Sequence, residues 1–232
     1  DTAVAPAGRP GPGGALWRSL LLPGWGQAAY GAGSGAAQVE KLHDAPVFEP
    51  EDYLRRALRL LEAARKELGD EVELLHDVHE RISPIQAVRF CKECERFRLF
   101  FLEDPLSPED IEWFRIIRQQ CSTPIAMGEL FNSPHEWTPL IRDRLIDYIR
   151  IHVSQAGGFT PCRKIAAMAE LMGVKTAWHG PGDVSPVGHM ANITLDLACY
   201  NFGIQESVFF PEAVREVFQG CPVLKNGYFY AN

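Results

Sequence analysis

Three carboxylates recur at a fixed interval in this chain. Asp77 closes the run Leu74-Leu75-His76-Asp77, Glu103 closes Phe100-Phe101-Leu102-Glu103, and Glu129 follows Ile125-Ala126-Met127-Gly128, so the acids stand 26 and 26 residues apart. An interval of that length holds one β-strand, one helix and two loops. Successive strands of a parallel barrel are neighbours pointing the same way, so residues that end three consecutive strands converge at one mouth. Converging carboxylates repel one another unless a cation sits between them, and oxygen ligands of this kind suit a hard divalent metal.

The same rhythm extends downstream. Ser83-Pro84, Ser133-Pro134 and Thr160-Pro161 read as caps and first-turn prolines of helices, and Gly69 and Gly173 read as stops. Leu54, Ala57, Leu58, Leu61, Ala64 and Leu68 recur at helical spacing, whereas Leu99 to Leu102 is wholly apolar, as a strand covered on both faces should be. The helix opened by Ser83-Pro84 is expected to bury Ile85, Val88 and Cys91, and a helix from Pro108 to about Gln119 to bury Ile111, Phe114 and Ile117. The strand ends then carry Asp77, Glu103, Glu129, Arg150, His179 and Glu206, at intervals of 26, 26, 21, 29 and 27. Six βα units with polar residues at every strand end predict an α/β fold of the (β/α)8 type. A doubly wound sheet would gather its ligands at one switch point instead. A further strand near Ala15 to Ser19 brings the count to about seven, one short of a full barrel.

Composition narrows the function classes. The 232 residues are 46% hydrophobic, enough for a full core, and the net charge of -7 comes from 30 acidic and 23 basic residues without a basic run, which speaks against nucleic acid as a partner. No stretch approaches ~18 uninterrupted apolar residues, so no membrane span is expected. Six scattered cysteines without disulfide-framework density suggest a reducing, cytoplasmic setting, and Cys91 and Cys94 read as two thiols on one side of an ordinary helix. Residues 1–38 form a Gly/Ala/Pro-rich segment with a possible second barrel strand, and residues 39–232 form the barrel domain. A first residue that is Asp1 and not Met suggests a piece of a longer protein.

At Asp77-Val78-His79-Glu80-Arg81, Glu103-Asp104-Pro105, Gly128-Glu129, Arg150-Ile151 and His179-Gly180-Pro181-Gly182-Asp183, the chain resembles the mannonate dehydratase subgroup of the enolase superfamily. The resemblance runs from about Val39 to Tyr230. It implies Mg2+ bound by Asp77, Glu103 and Glu129, His79 as general acid and base, and Arg150, His179, Asp183 and Glu206 around a sugar acid. It also implies a Tyr paired with an Arg from the second-strand region as the base, for which Tyr30 and Arg18 stand at a suitable separation. A capping domain before this region and a segment after it belong to the family and are not in the sequence. In the full-length form a homo-oligomer is expected.

The chemistry is coherent with these residues. Removing a proton beside a carboxylate creates an enediolate, and Mg2+ touching those oxygens stabilises the charged species more than the ground state. His79, two residues after Asp77 along an extended segment, would point to the same side and could protonate a departing hydroxide. Arg150 ends an apolar strand, where an unpaired guanidinium is costly, so it should meet the acidic cluster, Glu129 included, or the substrate carboxylate. His76 and His152 read as packing residues. The expected function is dehydration of D-mannonate or D-gluconate to 2-keto-3-deoxy-gluconate. The alternatives are an acid-sugar racemase or epimerase, and a non-catalytic or regulatory relative that keeps the metal site.

Overall fold

A computed structural model describes residues 2–3, 19–22, 48–206 and 208–231. Arg18, Tyr30 and the boundary expected at 38/39 lie outside the described residues.

Six parallel strands lie side by side in chain order: β2 (Ser19–Leu22), β3 (Glu73–Asp77), β4 (Phe101–Glu103), β5 (Ile125–Met127), β6 (Tyr148–Ile149) and β7 (Lys175–Thr176). A parallel bridge from Thr176 to Phe202 adds a seventh strand position. Helices separate the strands from β3 onward: α1 (Pro50–Leu68) precedes β3, then α2 (Pro84–Cys94), α3 (Trp113–Gln120), α4 (Pro134–Arg142), α5 (Phe159–Met172) and α6 (Pro186–Ala198) follow in turn. This is the expected (β/α)8-type barrel in incomplete form. Among the described residues nothing pairs β2 with the Phe202 position.

Local chemistry explains the elements. Helix α1 starts at Pro50, places Glu51 and Asp52 in its first turn and Arg65 and Lys66 in its last, and ends where Gly69 takes a positive φ. Those charges complement the helix dipole at both ends. Its Leu54, Ala57 and Leu61 are buried at the spacing of one helical face. Ser83 and Gln86, and Ser133 and Glu136, form capping boxes that open α2 and α4.

Two helices depart from expectation. The buried face of α2 is Ala87, Phe90, Cys91 and Cys94, with Ile85 exposed and Val88 half-buried, because Phe90 presents more apolar surface to the core than Ile85 could from the first turn. The segment opened by Pro108 begins as a single 3-10 turn, Pro108–Asp110, and becomes α-helical only at Trp113; Phe114 and Ile117 are buried as expected, and Ile111 is half-buried.

The strands separate two apolar layers. Leu74, Leu102, Ile125, Met127 and Ile149 join the large core beneath the helices, whereas Leu75, Phe101, Ala126, Tyr148 and Ala177 form a second cluster inside the barrel. Alternation along a strand puts residues i and i+2 on one face. The next inward position after Leu75 is Asp77, after Phe101 it is Glu103, after Tyr148 it is Arg150, after Ala177 it is His179. The inner cluster is thus the floor on which the polar strand ends stand.

A second, small antiparallel sheet has β9 against α6: β1 (Thr2–Ala3) pairs with β9 (Tyr228–Ala231), which pairs with β8 (Val223–Lys225). The β8 to β9 turn is Asn226-Gly227, both at positive φ. That dipeptide is a strong hairpin signal, because both of its residues tolerate the positive φ that the turn requires. A short helix, α7 (Glu212–Val217), precedes it.

Candidate active site at the barrel mouth

The strand ends face one mouth, but of the three acids expected to share a metal only Glu129 belongs to the group whose oxygens lie within 4.8 Å of one another among the described residues, the other two members being Glu80 and Asp104. Asp77 and Glu103 are direct register partners across β3 and β4. Glu129 would fall outward by simple alternation, but Gly128 turns the chain: its φ is +139, and a Cβ there would sit 3.2 Å from the backbone nitrogen of Arg150. Only glycine fits that approach, and the turn brings Glu129 back to the mouth.

Glu129 is the hub of one half of the site. Its Oε1 lies 3.4 Å from His79 Nδ1 and its Oε2 lies 3.1 Å from His179 Nε2. His79 Nδ1 also meets Asp77 Oδ2 at 3.0 Å. His79 and Glu80 both have positive φ, so the Asp77–His79 contact arises from a left-handed turn and not from the extended alternation expected of it. His179 Nδ1 is 3.0 Å from His152 Nδ1. The two ring nitrogens of His179 thus link the Glu129 carboxylate to His152. His152 is therefore part of the site, which corrects its reading as a packing residue. His76 is buried, with its Nε2 2.9 Å from the Tyr53 hydroxyl.

Arg150 is the hub of the other half. Its Nε contacts Glu103 Oε1, its Nη2 donates to Glu206 Oε2 at 2.9 Å, and its Nη1 donates to the Ala177 carbonyl at 3.3 Å. Glu206 Oε2 also accepts from the Gly180 backbone N–H at 2.8 Å. Arg150 meets the acidic cluster through Glu103 and Glu206, not through Glu129. The Gly180-Pro181-Gly182 turn is held by Asn192, which donates to the His179 carbonyl, and by His189 Nε2, 3.2 Å from the Pro181 carbonyl. Asp183 is exposed, and its charge reaches His152.

Two further carboxylates crowd the first half. Asp104 is fully buried with a left-handed φ, and its Oδ1 accepts from the Gly128 N–H. Glu80, Asp104 and Glu129 offer oxygens that all lie within 4.8 Å of one another. Both new acids belong to the motifs Asp77-Val78-His79-Glu80 and Glu103-Asp104-Pro105, and a second acid beside each predicted ligand was the signal that could have found them. Asp77 Oδ1, Glu80 Oε1 and Asp104 Oδ2 are buried oxygens without a hydrogen-bond partner.

The electrostatics follow. Burial pushes Glu103 up to about 8 against the pull of Arg150, with Asp77, Glu206 and Glu129 adding to the rise. Burial and the charges of Glu129 and Asp77 raise Glu80 to about 7, and burial with four neighbouring acids drives Asp104 well above the carboxylate range. Glu129 differs: burial opposes its charge, but His179, His79 and Arg150 outweigh it and hold its pKa low. The hydrogen bond to Asp77 raises His79 to about 9. Buried acids this close, with oxygens left unpartnered, fit a hard divalent cation.

Comparison with known proteins agrees with this geometry. Residues 32–232 match the family described as enolase C-terminal domain-like. A D-galactonate dehydratase family member of Pantoea ananatis is 57% identical over 185 residues, 80% of this chain and 44% of its own length. One of Enterococcus gallinarum is 47% identical over 224 residues, 94% of this chain and 56% of its own. The chain thus spans about half the length of the curated relatives it matches. The crystal structure of an enolase from Pantoea ananatis with bound D-gluconate and Mg superposes with a TM-score of 0.79 at 57% identity, over 80% of this chain and 45% of that one. A putative dehydratase from Mesorhizobium loti gives a TM-score of 0.69 at 26% identity, over 79% of this chain and 49% of that one. With the family matched over most of its length and the ring of strand-end acids in place, the chain belongs to the enolase C-terminal domain-like family.

Proposed function

We propose that this chain carries the catalytic barrel of a Mg2+-dependent acid-sugar dehydratase acting on D-mannonate or D-gluconate to give 2-keto-3-deoxy-gluconate. The observation that carries the reading is the crowd of buried, unpartnered carboxylate oxygens at Asp77, Glu80 and Asp104 around Glu129. It is supported by the gluconate and Mg in the Pantoea ananatis enolase and by the dehydratase names of the relatives.

In this reading Asp77, Glu103 and Glu129 hold Mg2+, with Glu80 and Asp104 deepening the negative field. The bound ion supplies stabilisation of the charge that builds on the substrate carboxylate as the neighbouring proton leaves. His79, held protonated near neutral pH by Asp77, donates its proton to the departing hydroxyl. His179 and Asp183 face the sugar acid. Arg150, whose three nitrogens are all engaged, acts by fixing Glu103 and Glu206, so Glu206 meets substrate from a rigid seat. Tyr30, with Arg18 lowering its proton affinity, takes the C2 proton. The assembled protein works in the cytoplasm as a homo-oligomer.

The test uses His79→Asn in the full-length protein, with D-mannonate and D-gluconate as substrates. Dehydration should fall by at least about 100-fold, the usual worth of a positioned acid, while the Mg2+-induced rise in melting temperature persists. Wild-type turnover by His79→Asn would remove the acid from its role, and no turnover by the unmutated protein on either sugar would remove the substrate assignment.

A further inference from the structure

The ladder of β7 ends at Thr176, and beyond it the backbone carbonyls are held by side chains in place of a neighbouring strand. Arg150 Nη1 donates to the Ala177 carbonyl at 3.3 Å, Gln205 Nε2 to that of Trp178 at 3.1 Å, and Asn192 Nδ2 to that of His179 at 3.0 Å. His189 Nε2 stands 3.2 Å from the Pro181 carbonyl, which can only accept. On the other edge the Ala177 and His179 amides donate to the Ile149 and Ile151 carbonyls at 3.0 and 3.2 Å. A backbone segment held in this way is only as fixed as the side chains that hold it.

Three of those side chains close on one point. A Cβ at Gly180 would stand 3.0 Å from His189 Cε1, 3.1 Å from Asn192 Nδ2 and 3.2 Å from Gln205 Nε2. His189 and Asn192 lie three residues apart on the buried face of α6, where a polar group is costly unless it has a partner. The His189 ring is set in turn by an edge-to-face contact with Phe210, centroids 5.0 Å apart. Gln205 Nε2 also donates to the Glu206 carbonyl at 3.1 Å, so one amide holds both Trp178 and the residue that carries the acid. Between these contacts the Gly180 N–H donates to Glu206 Oε2 at 2.8 Å, and His179 reaches Glu129 with its ring at 3.1 Å.

We propose that Asn192, His189 and Gln205 are positioning residues that fix the backbone from Trp178 to Pro181, so that the His179 ring and the Glu206 carboxylate meet the sugar acid in one geometry. The substrate in this inference rests on the dehydratase reading above, whereas the clamp itself rests on the hydrogen bonds. The three residues act through His179 and Glu206, and a displacement of such groups by about 1 Å costs about 100-fold in a well-oriented site. Neither His79 nor Asp77 bonds to the clamp, so departure of the hydroxyl is not the step that suffers; weaker holding of the substrate raises KM while kcat changes little. If the three side chains did no more than satisfy buried carbonyls, their loss would lower stability and leave the KM of the folded molecules unchanged.

The test compares the full-length protein with Asn192→Leu, which keeps the volume and removes the donor, and with Gln205→Leu at a half-buried position that serves where the α6 variant folds poorly. Hydrogen exchange of the Gly180 amide should accelerate at least about fivefold in either variant, the equilibrium worth of one hydrogen bond. With whichever of D-mannonate and D-gluconate the unmutated protein turns over, KM should rise by about 10-fold or more while kcat falls by less than about threefold. An unchanged Gly180 exchange rate in both variants overturns the clamp, and faster exchange with an unchanged KM overturns its role in holding the substrate. If the unmutated protein turns over neither sugar, the dehydratase reading fails, and the Gly180 exchange rates alone uphold or overturn the clamp.

Discussion

The two halves of the barrel mouth carry similar numbers of charged groups and arrange them in opposite ways. On the β6 and β7 side, Arg150 is buried with every nitrogen engaged, and Glu206 accepts from both Arg150 and the Gly180 N–H. On the β3 to β5 side, Asp77, Glu80 and Asp104 each keep a buried oxygen without a partner, and His79 is the only cationic side chain hydrogen-bonded to Asp77 among the described residues. The first half satisfies itself, and the second is built around a charge that must come from outside. A buried guanidinium held by two carboxylates is stable only while all members are present, whereas crowded acids gain stability from an added cation.

The largest effect should therefore come from breaking the self-sufficient half. Arg150→Met leaves Glu103 and Glu206 without their counter-charge, at 3% exposure for Glu103, and should cost about 3–5 kcal/mol in urea unfolding. Adding Glu103→Gln should recover part of that loss. If Arg150→Met costs less than about 1 kcal/mol, the site relaxes in a way that contradicts a rigid Arg150 hub.

A somewhat smaller effect sharpens the contrast from the other side. Mg2+ at about 100 times its Kd should stabilise the protein by about 2.7 kcal/mol, and Asp77→Asn should remove most of that gain while changing metal-free stability little. Asp77 is the cleaner choice than Glu103 because its Oδ1 has no partner, whereas Glu103 also holds Arg150. An equal Mg2+ response in both proteins would exclude Asp77 as a ligand.

The same contrast explains what could be read from the chain alone. The strand order, the helix caps and the convergence of Asp77, Glu103, Glu129, Arg150, His179 and Glu206 follow from period and spacing, because a parallel barrel maps regular sequence intervals onto adjacent positions in space. Which acid Arg150 would choose was not legible, since Glu103, Glu129 and Glu206 all end strands, and the choice depends on a backbone turn at Gly128 that no periodicity encodes. The left-handed turn at His79 and Glu80 was likewise hidden, and with it the approach of Glu80 and Asp104 to Glu129. His152 sits on an apolar strand end, where imidazole packs as readily as it hydrogen-bonds, so only its contact with His179 could assign it. Arg18 and Tyr30 lie outside the described residues, and their roles rest on the resemblance.

The smallest expected effect comes from a buried acid outside both halves. Asp196 on α6 is 5% exposed, its Oδ1 has no partner, and burial alone raises its pKa well above the ordinary carboxylate value. Because the folded-state pKa is raised, the favourable contribution of the protonated acid is fully present below the unfolded value near 3.8 and is lost as pH rises toward the folded value. Asp196→Asn removes that titration while keeping the shape. The variant should match the unmutated protein near pH 4 and gain on it as pH rises, reaching about 1 kcal/mol at pH 7, the scale of a poorly satisfied buried polar group. Being a lone acid and not a member of the crowd, Asp196 should leave the Mg2+ response untouched. Parallel urea titrations across pH, with and without Mg2+, separate the two behaviours: a stability difference independent of pH would mean that Asp196 has the same pKa in the folded and unfolded states, and a lost Mg2+ response would mean that the cation site extends to α6.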